Sequence, residues 1–333
     1  MKRTTNYRAV LAILFAAGLW ASLAAAQTFT TLNDPSATSG TFAEGISGGN
    51  IVGFYGNGPA VHGFLYNGST WTTLDDPLGA QDTWALGING GNIVGQYFDS
   101  AGNRHGFLYN GSTWTTIDNS SATNGTVASG ISGSNVVGYY YVSTNVGHGF
   151  LYNNSQCSPL DDPSGGETWA CGIDGSNIVG YYMDASWPYG DHGFLNSGST
   201  WTKLDDPLAI HGTFAQAVSG SNIVGYYQDS SYYDHGFFYN GSTYTTVDDP
   251  LWTGNPPGTS VDGIDGNCIV GSYYDSTGVH GFIASVPEPS TFVLLSVGAV
   301  VLVAYAWRRG RAKLNLVGQV KACRDQGSGS ERG

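Results

Sequence analysis

The stretch HGFLYNGSTWTTLDDP, residues 62–77, sets a histidine, hydroxyl side chains, a tryptophan and an aspartate pair within sixteen positions. In kind these are active-site residues: an imidazole to carry protons, hydroxyls, and adjacent carboxylates to divide acid and base duties. Such chemistry is needed once, in one asymmetric setting. The chain instead repeats the phrase. His62, His105, His148, His192, His235 and His280 each open an HGF tripeptide, at steps of 43, 43, 44, 43 and 45 residues. Six equivalent histidines predict a structural job, a bond to the backbone of a neighbouring strand or turn that fixes the start of a strand.

The aspartates follow the same logic. Asp75-Asp76, Asp161-Asp162, Asp205-Asp206 and Asp248-Asp249 precede prolines, with Asn33-Asp34 and Asp118-Asn119 as their relatives. An acid–base couple needs two environments that separate its pKa values. Symmetric copies supply one environment over and over. Aspartate before proline starts a turn through side-chain bonds to the backbone. No catalytic residue and no cofactor are expected. Calcium is the sharper alternative, because clustered carboxylates suit a hard cation, although no recognised calcium-loop spacing is present. His211, in LAIHGTFA, falls outside the pattern and reads as an exposed loop residue.

Recurring side chains need recurring elements to hold them. GISGGNIVGFY at 45–55 returns with small changes in every unit, and so does TWTTLDDP. Each period holds four strands, which in the first full unit are residues 41–46, 50–55, 63–66 and 71–74. SGGN and NGST join them in pairs, with the Gly/Asn chemistry that tight hairpins require. Runs such as NIVGFY are apolar on both faces and want a sheet on each side. Four antiparallel strands per period is the signature of a propeller blade. The expected fold is therefore all-β: a six-bladed β-propeller of about 43-residue repeats over residues 27–285. That region opens on a fourth-strand phrase, TFTTLNDP at 28–35, and ends on a third-strand phrase, HGFIA at 280–284. Pairing the two completes the last blade and removes its free edge.

Symmetry-breaking positions point to recognition. Trp71, Trp114, Trp201 and Tyr244 share one repeat position and read as packing, as do Trp84 and Trp169; Cys157 stands in the first column and should loosen its blade. The loop between the second and third strands varies most, and variable loops on a rigid scaffold are where binding usually resides. Two neighbouring loops combine aromatic and acidic residues: Asp184, Trp187 and Tyr189 in one, Asp229, Tyr232 and Tyr233 in the other. Aromatic faces with polar rims suit sugar rings.

Composition sets the compartment. Residues 1–26 have a basic start, an apolar core and a small-residue cleavage site, the pattern of a signal peptide for signal peptidase. Residues 292–307, FVLLSVGAVVLVAYAW, form a short candidate transmembrane helix. Arg308, Arg309, Arg311 and Lys313 follow at once and hold the polar, disordered tail 308–333 on the cytoplasmic side. Between Gln27 and Ser285 stand 22 acidic residues against Arg104 and Lys203 alone. Such a balance repels nucleic acid.

The order VPEPST at 286–291, apolar helix, then RRGR resembles the PEP-CTERM sorting signal of exported bacterial proteins. The resemblance implies that Pro287, Glu288 and Pro289, with Arg308 and Arg309 behind the helix, are read by an exosortase in the inner membrane. It also implies release or transfer to the cell surface and a role in the exopolysaccharide or biofilm layer. Here a tail continues beyond the arginines to Gly333. The repeats themselves resemble HAF repeats, a family of extracellular repeats, with His-Gly-Phe in place of His-Ala-Phe and GINGGNIVG at 87–95 as the second phrase. The expected function is a non-catalytic binding or matrix-structural protein, with extracellular polysaccharide as partner. The alternative is a carbohydrate-active propeller enzyme or lectin with its site at one mouth of the channel.

Overall fold

The alternating apolar runs become strands, and the Gly/Asn pairs become their turns. The computed structural model describes residues 27–286 except 81, 143–145, 165, 185–189 and 255–257. Among the described residues there are 24 strands and no helix. The expected signal peptide (1–26), sorting motif (286–291, save Val286) and membrane helix (292–307) lie outside them, and no described helix is long and apolar enough to cross a membrane.

The strands form multiple four-stranded antiparallel sheets in the manner of β-propeller blades, the first two units sharing one parallel bridge between Val61 and Asp82. In the first unit the strands are Thr41–Ser47, Asn50–Asn57, Ala60–Tyr66 and Trp71–Leu74. The middle pair run further than the sequence predicts. Gly58, at φ 64°, closes them with a tight turn where a longer loop was expected.

Two repeated residues explain the packing within each sheet. The glycine of IVG lies directly opposite the phenylalanine of HGF: Gly53 with Phe64, Gly138 with Phe150, Gly271 with Phe282. A Cβ on Gly138 would sit 1.9 Å from the Val127 carbonyl and 3.0 Å from the Phe150 ring. Each phenylalanine therefore packs against a bare backbone and is wholly buried. Packing between sheets also follows the repeat. The valine of IVG belongs to the core of the next unit, so that Val52 joins Ala85, Ile93 and Phe107, and Val270 joins Ala43, Ile51 and Phe64.

The last unit meets the first as every unit meets its successor. Strand Phe29–Leu32 pairs antiparallel with Gly278–Ser285, placing Thr30 opposite Ile283 and Leu32 opposite Gly281. The innermost strands crowd together at glycine: Gly87 faces the Ser129 carbonyl, Gly130 faces Cys171, and Gly263 faces Glu44. At the hairpin end, Gly90 N–H donates to Ser47 Oγ (3.1 Å), Gly133 N–H to Asn89 Oδ1 (3.0 Å), and Gly48 N–H to Asp265 Oδ2 (2.7 Å).

Candidate functional site

A four-stranded meander reverses at every turn, so its connections divide between two ends. The SGGN and NGST hairpins occupy one end; the first recurs with small changes in every unit, while NGST stands at 67–70, 110–113 and 240–243 and is replaced by NNSQ at 153–156 and SGST at 197–200. The other end carries the variable loops, the Asp-Asp-Pro connections and the repeated histidines. The widest differences from unit to unit, in loop length and in side chains, fall at this second end.

Each histidine is spent within its own unit. His62 Nδ1 lies 3.0 Å from Asp75 Oδ1, His105 Nδ1 2.9 Å from Asp118 Oδ2, and His235 Nδ1 2.8 Å from Asp248 Oδ2. His148 and His192 pair likewise with Asp161 and Asp205, and His280 reaches Asn33 Oδ1 at 3.0 Å across the chain ends. This corrects one expectation: the partner is a side chain, not a strand or turn backbone. Thirteen residues separate each pair within a unit because the third strand runs out and the fourth runs back, bringing the aspartate beside the histidine. The ring also rests on a tyrosine of the second strand, such as Tyr97 at 5.1 Å. That tyrosine in turn shares a hydrogen bond with a fourth-strand threonine, Tyr97 Oη to Thr116 Oγ1 at 3.0 Å. Burial works against a charged His105, but Asp118 and Asp99 outweigh it and raise its pKa.

The second aspartate of each pair serves a different purpose. Asp76 accepts the Leu78 N–H on Oδ1 (2.8 Å), while its own N–H donates to Thr83 Oγ1 (3.1 Å) at the start of the next unit. Asp34, Asp162, Asp206, Asp249 and Asn119 repeat the turn. The two carboxylates of a pair therefore part company, one towards histidine and one into the turn. Among the described residues no group of three or more His, Cys, Asp or Glu side chains could hold a metal ion. Asp76→Ala is expected to cost about 1–3 kcal/mol by stripping a buried turn of its acceptor. Asp75→Ala, at a half-exposed carboxylate, is expected to cost under about 1 kcal/mol; paired thermal melts decide the order.

The predicted loop residues are only partly brought together. Trp187 and Tyr189 lie outside the described residues. Asp184 Oδ2 is 3.3 Å from His192 Nε2, and Asp229 Oδ2 is 3.7 Å from His235 Nε2. Asp229 Oδ1 also accepts the N–H groups of Ser231 and Tyr233. Desolvation opposes these bonds, yet they hold its pKa below the ordinary carboxylate value. Asp99 and Asp275 brace their own loops in the same way. Tyr232 is 58% exposed and adopts φ 63°, with its ring stacked on His211 at 3.6 Å. His211 is therefore not the exposed loop residue expected: it is 8% exposed, covered by Tyr232. Tyr233 is half-buried, edge-on to Trp252 at 5.9 Å.

The axis supplies residues that sequence reasoning missed. Every innermost strand carries a bulge after its third or fourth residue, as between Ala43 and Gly45 or between Val261 and Gly263. A bulge turns one extra side chain out of the ladder. The six bulged residues are Glu44, Leu86, Ser129, Cys171, Gln216 and Asp262, and together they line an axial cavity of about 260 Å³. Reading down the column FAEG, WALG, VASG, WACG, FAQA, SVDG would have singled them out, since five of its six flanking residues are glycine while the bulged position never repeats.

Glu44 and Asp262 come from the first and last units and face one cavity. Burial raises the Glu44 pKa well above its ordinary value, and the neighbouring Asp262 charge adds to the effect. Burial likewise lifts Asp262 to about 7, against a hydrogen bond from Ser260 Oγ (2.5 Å). Burial also pushes the Cys171 thiol up to about 12, which leaves it protonated and unreactive at neutral pH. A carboxyl whose pKa is higher folded than unfolded stabilises the fold below the unfolded value and loses that contribution as pH rises through the folded one. From Asp262 that loss spans about pH 4 to 7. Asp262→Asn is expected to melt higher than the parent at pH 8 and equally at pH 4, as scanning calorimetry at both values will test.

The C-terminal residues add a separate observation. Residues 285–311 match the PEP-CTERM protein-sorting motif. The chain carries an export-sorting signal. That PEP-CTERM segment contains Pro287, Glu288, Pro289, Arg308 and Arg309, and it implies export and processing by an exosortase. No curated protein matches the chain. Among solved structures, the chain is similar to a fungal lectin from Aleuria aurantia, described as a six-bladed β-propeller with a novel fucose recognition mode. That match has 16% identity, covers 76% of this chain and 93% of the lectin, and has a TM-score of 0.47. It is also similar to TolB from Acinetobacter baumannii, at 15% identity over 72% of this chain and 64% of TolB, TM-score 0.47. The tricorn protease matches at 12% identity over 73% of this chain and 26% of the protease, TM-score 0.49.

Proposed function

We propose that the protein is an exported, non-catalytic binding scaffold of the bacterial surface, a closed six-bladed wheel of HAF-type repeats that holds extracellular polysaccharide. One observation carries the reading. The recurring polar residues that resemble catalytic machinery are engaged in bracing the repeats, His against Asp or Asn and the second Asp or Asn against turn backbone. Variation is left to the loop-bearing end and the axis, which is the division of labour of a binding scaffold. The signal peptide delivers the chain across the inner membrane, the C-terminal helix holds it there, and the exosortase releases or transfers it to the exopolysaccharide or biofilm layer.

A second reading is favoured by the Glu44–Asp262 pair: two carboxyls of raised pKa in one channel are the raw material of a carbohydrate-active enzyme. The two readings separate in one assay. Full-length protein is incubated with a panel of bacterial polysaccharides, and both retention and chain shortening are measured. Retention without shortening supports the scaffold. Shortening that vanishes in Glu44→Gln supports the enzyme and sinks the scaffold.

A further inference from the structure

One cation stands apart from the symmetry. Arg104 is the sole arginine between Gln27 and Val286, in a region with 22 acids. Among the described residues it nevertheless forms no ion pair, and its Nε is buried without a hydrogen-bond partner. The guanidinium carbon lies over two rings, 5.2 Å from the centre of Phe98 and 5.5 Å from that of Tyr141. Contact with aromatic rings leaves the in-plane terminal N–H donors of an arginine to hydrogen-bond.

The seam beside that side chain differs from its neighbours in charge. Arg104 opens the third strand of the second unit, at a position held by Val61, Gly147, Asp191, Asp234 and Val279 elsewhere. In two other units an acid from the next unit meets this position: Asp82 Oδ1 accepts the Val61 N–H (2.9 Å), and Glu167 Oε2 accepts the Gly147 N–H (3.2 Å). At the Arg104 seam the corresponding residue is Gly125, as it is Gly40, Gly212 and Gly258 at three other seams, and a Cβ there would lie 2.6 Å from Arg104 Cβ. The seam thus has the cation and lacks the carboxylate. What opens instead is a cleft of about 410 Å³ lined by Arg104, His105, Asp118, Thr123, Asn124 and Tyr141 among others.

We propose that this cleft, between the second and third units, binds a carboxylate-bearing sugar residue, with the carboxylate against the Arg104 guanidinium. The assignment rests on the polysaccharide-binding reading above and narrows it to acidic glycans. A single arginine balances one negative charge, whereas a polyphosphate would meet the acidic surface around it. The remaining lining suits hydroxyl groups. Thr123 Oγ1 already donates to the Val142 carbonyl (2.5 Å) and can accept from a ligand. Asn124 offers both donor and acceptor, and the Tyr141 ring offers an apolar face.

Isothermal titration of the full chain tests the assignment, using a galacturonate trisaccharide, the neutral galactose trisaccharide, and the variants Arg104→Gln and Arg104→Lys. The galacturonate trisaccharide is expected to bind the parent, about tenfold or more weakly in Arg104→Gln, and at an intermediate level in Arg104→Lys, which keeps charge but loses the planar fork. Neutral trisaccharide affinity should differ by under about twofold between parent and variants, because it owes nothing to a charge-assisted bond. If Arg104→Gln does not fold by its melting curve, Arg104→Lys and competition by free glucuronate against the parent read the same site. Galacturonate affinity unchanged by either substitution, or binding of the neutral sugar alone, overturns the assignment and leaves the polysaccharide reading standing. No binding of either trisaccharide, or of any polysaccharide in the retention assay, overturns both.

Discussion

Phe150→Ala is expected to destabilise the protein by about 3–5 kcal/mol, the range for a fully buried aromatic deleted from a core. Phe150 is wholly buried, faces Gly138 across the strand pair, and packs in a cluster with Val94, Ala128, Ile131 and Tyr140 drawn from two units. Neighbours on both sides are held by backbone ladders and cannot collapse into the space left behind. The opposite change, Gly138→Ala, is expected to be as severe for the reverse reason. Its new methyl would meet the Val127 carbonyl at 1.9 Å, so a strand must move before the methyl can fit. Urea melts of both variants check the pair. A loss under about 1 kcal/mol in both would mean that the sheets are loosely packed and that the repeated glycine has another origin.

Leu32→Asp is expected to be equally damaging, although Leu32 lies within six residues of the expected mature N-terminus at Gln27. Chain ends usually tolerate substitution. Leu32 does not sit like a chain end: it is buried in a cluster with Ile46, Tyr55 and Phe64 of the first unit and Val270 of the last. An unpaired carboxylate there costs several kcal/mol or forces the strand off its edge. The control is Leu74→Asp, at the matching position of an internal unit. The two variants should lose stability to a similar degree. A harmless Leu32→Asp beside a harmful Leu74→Asp would show that the first strand is dispensable.

Much of the architecture was legible because repetition reports on itself. The HGF and IVG phrases marked the third and second strands, and the early TFTTLNDP phrase marked a fourth strand with no unit of its own. Its pairing with Gly278–Ser285 follows from that phase offset. Side-chain partners were less legible. The step from His62 to Asp75 is a contact between adjacent strands, which spacing alone does not distinguish from a bond to backbone. His211 looked exposed because nothing nearby in sequence covers it; Tyr232, twenty-one residues on, does. The axial residues were hardest to see. They sit one per unit, and they converge only because each innermost strand bulges at the same place. Arg104 was visible as one of two cations in the acidic region, but its lack of an ion pair became visible only in the structure, with Phe98 and Tyr141 beneath it.

The central claim is that the first strand of the chain is the outermost strand of its last sheet. Cross-linking tests it most directly. Thr30 and Ile283 stand opposite one another in that pairing, and cysteines at two facing positions are within reach of a disulfide. In the double variant Thr30→Cys/Ile283→Cys, mild oxidation should join residues 30 and 283 within one chain, identified by mass mapping of the linked peptides. Failure of that link to form in folded monomer, or its appearance only between two chains, would contradict the account.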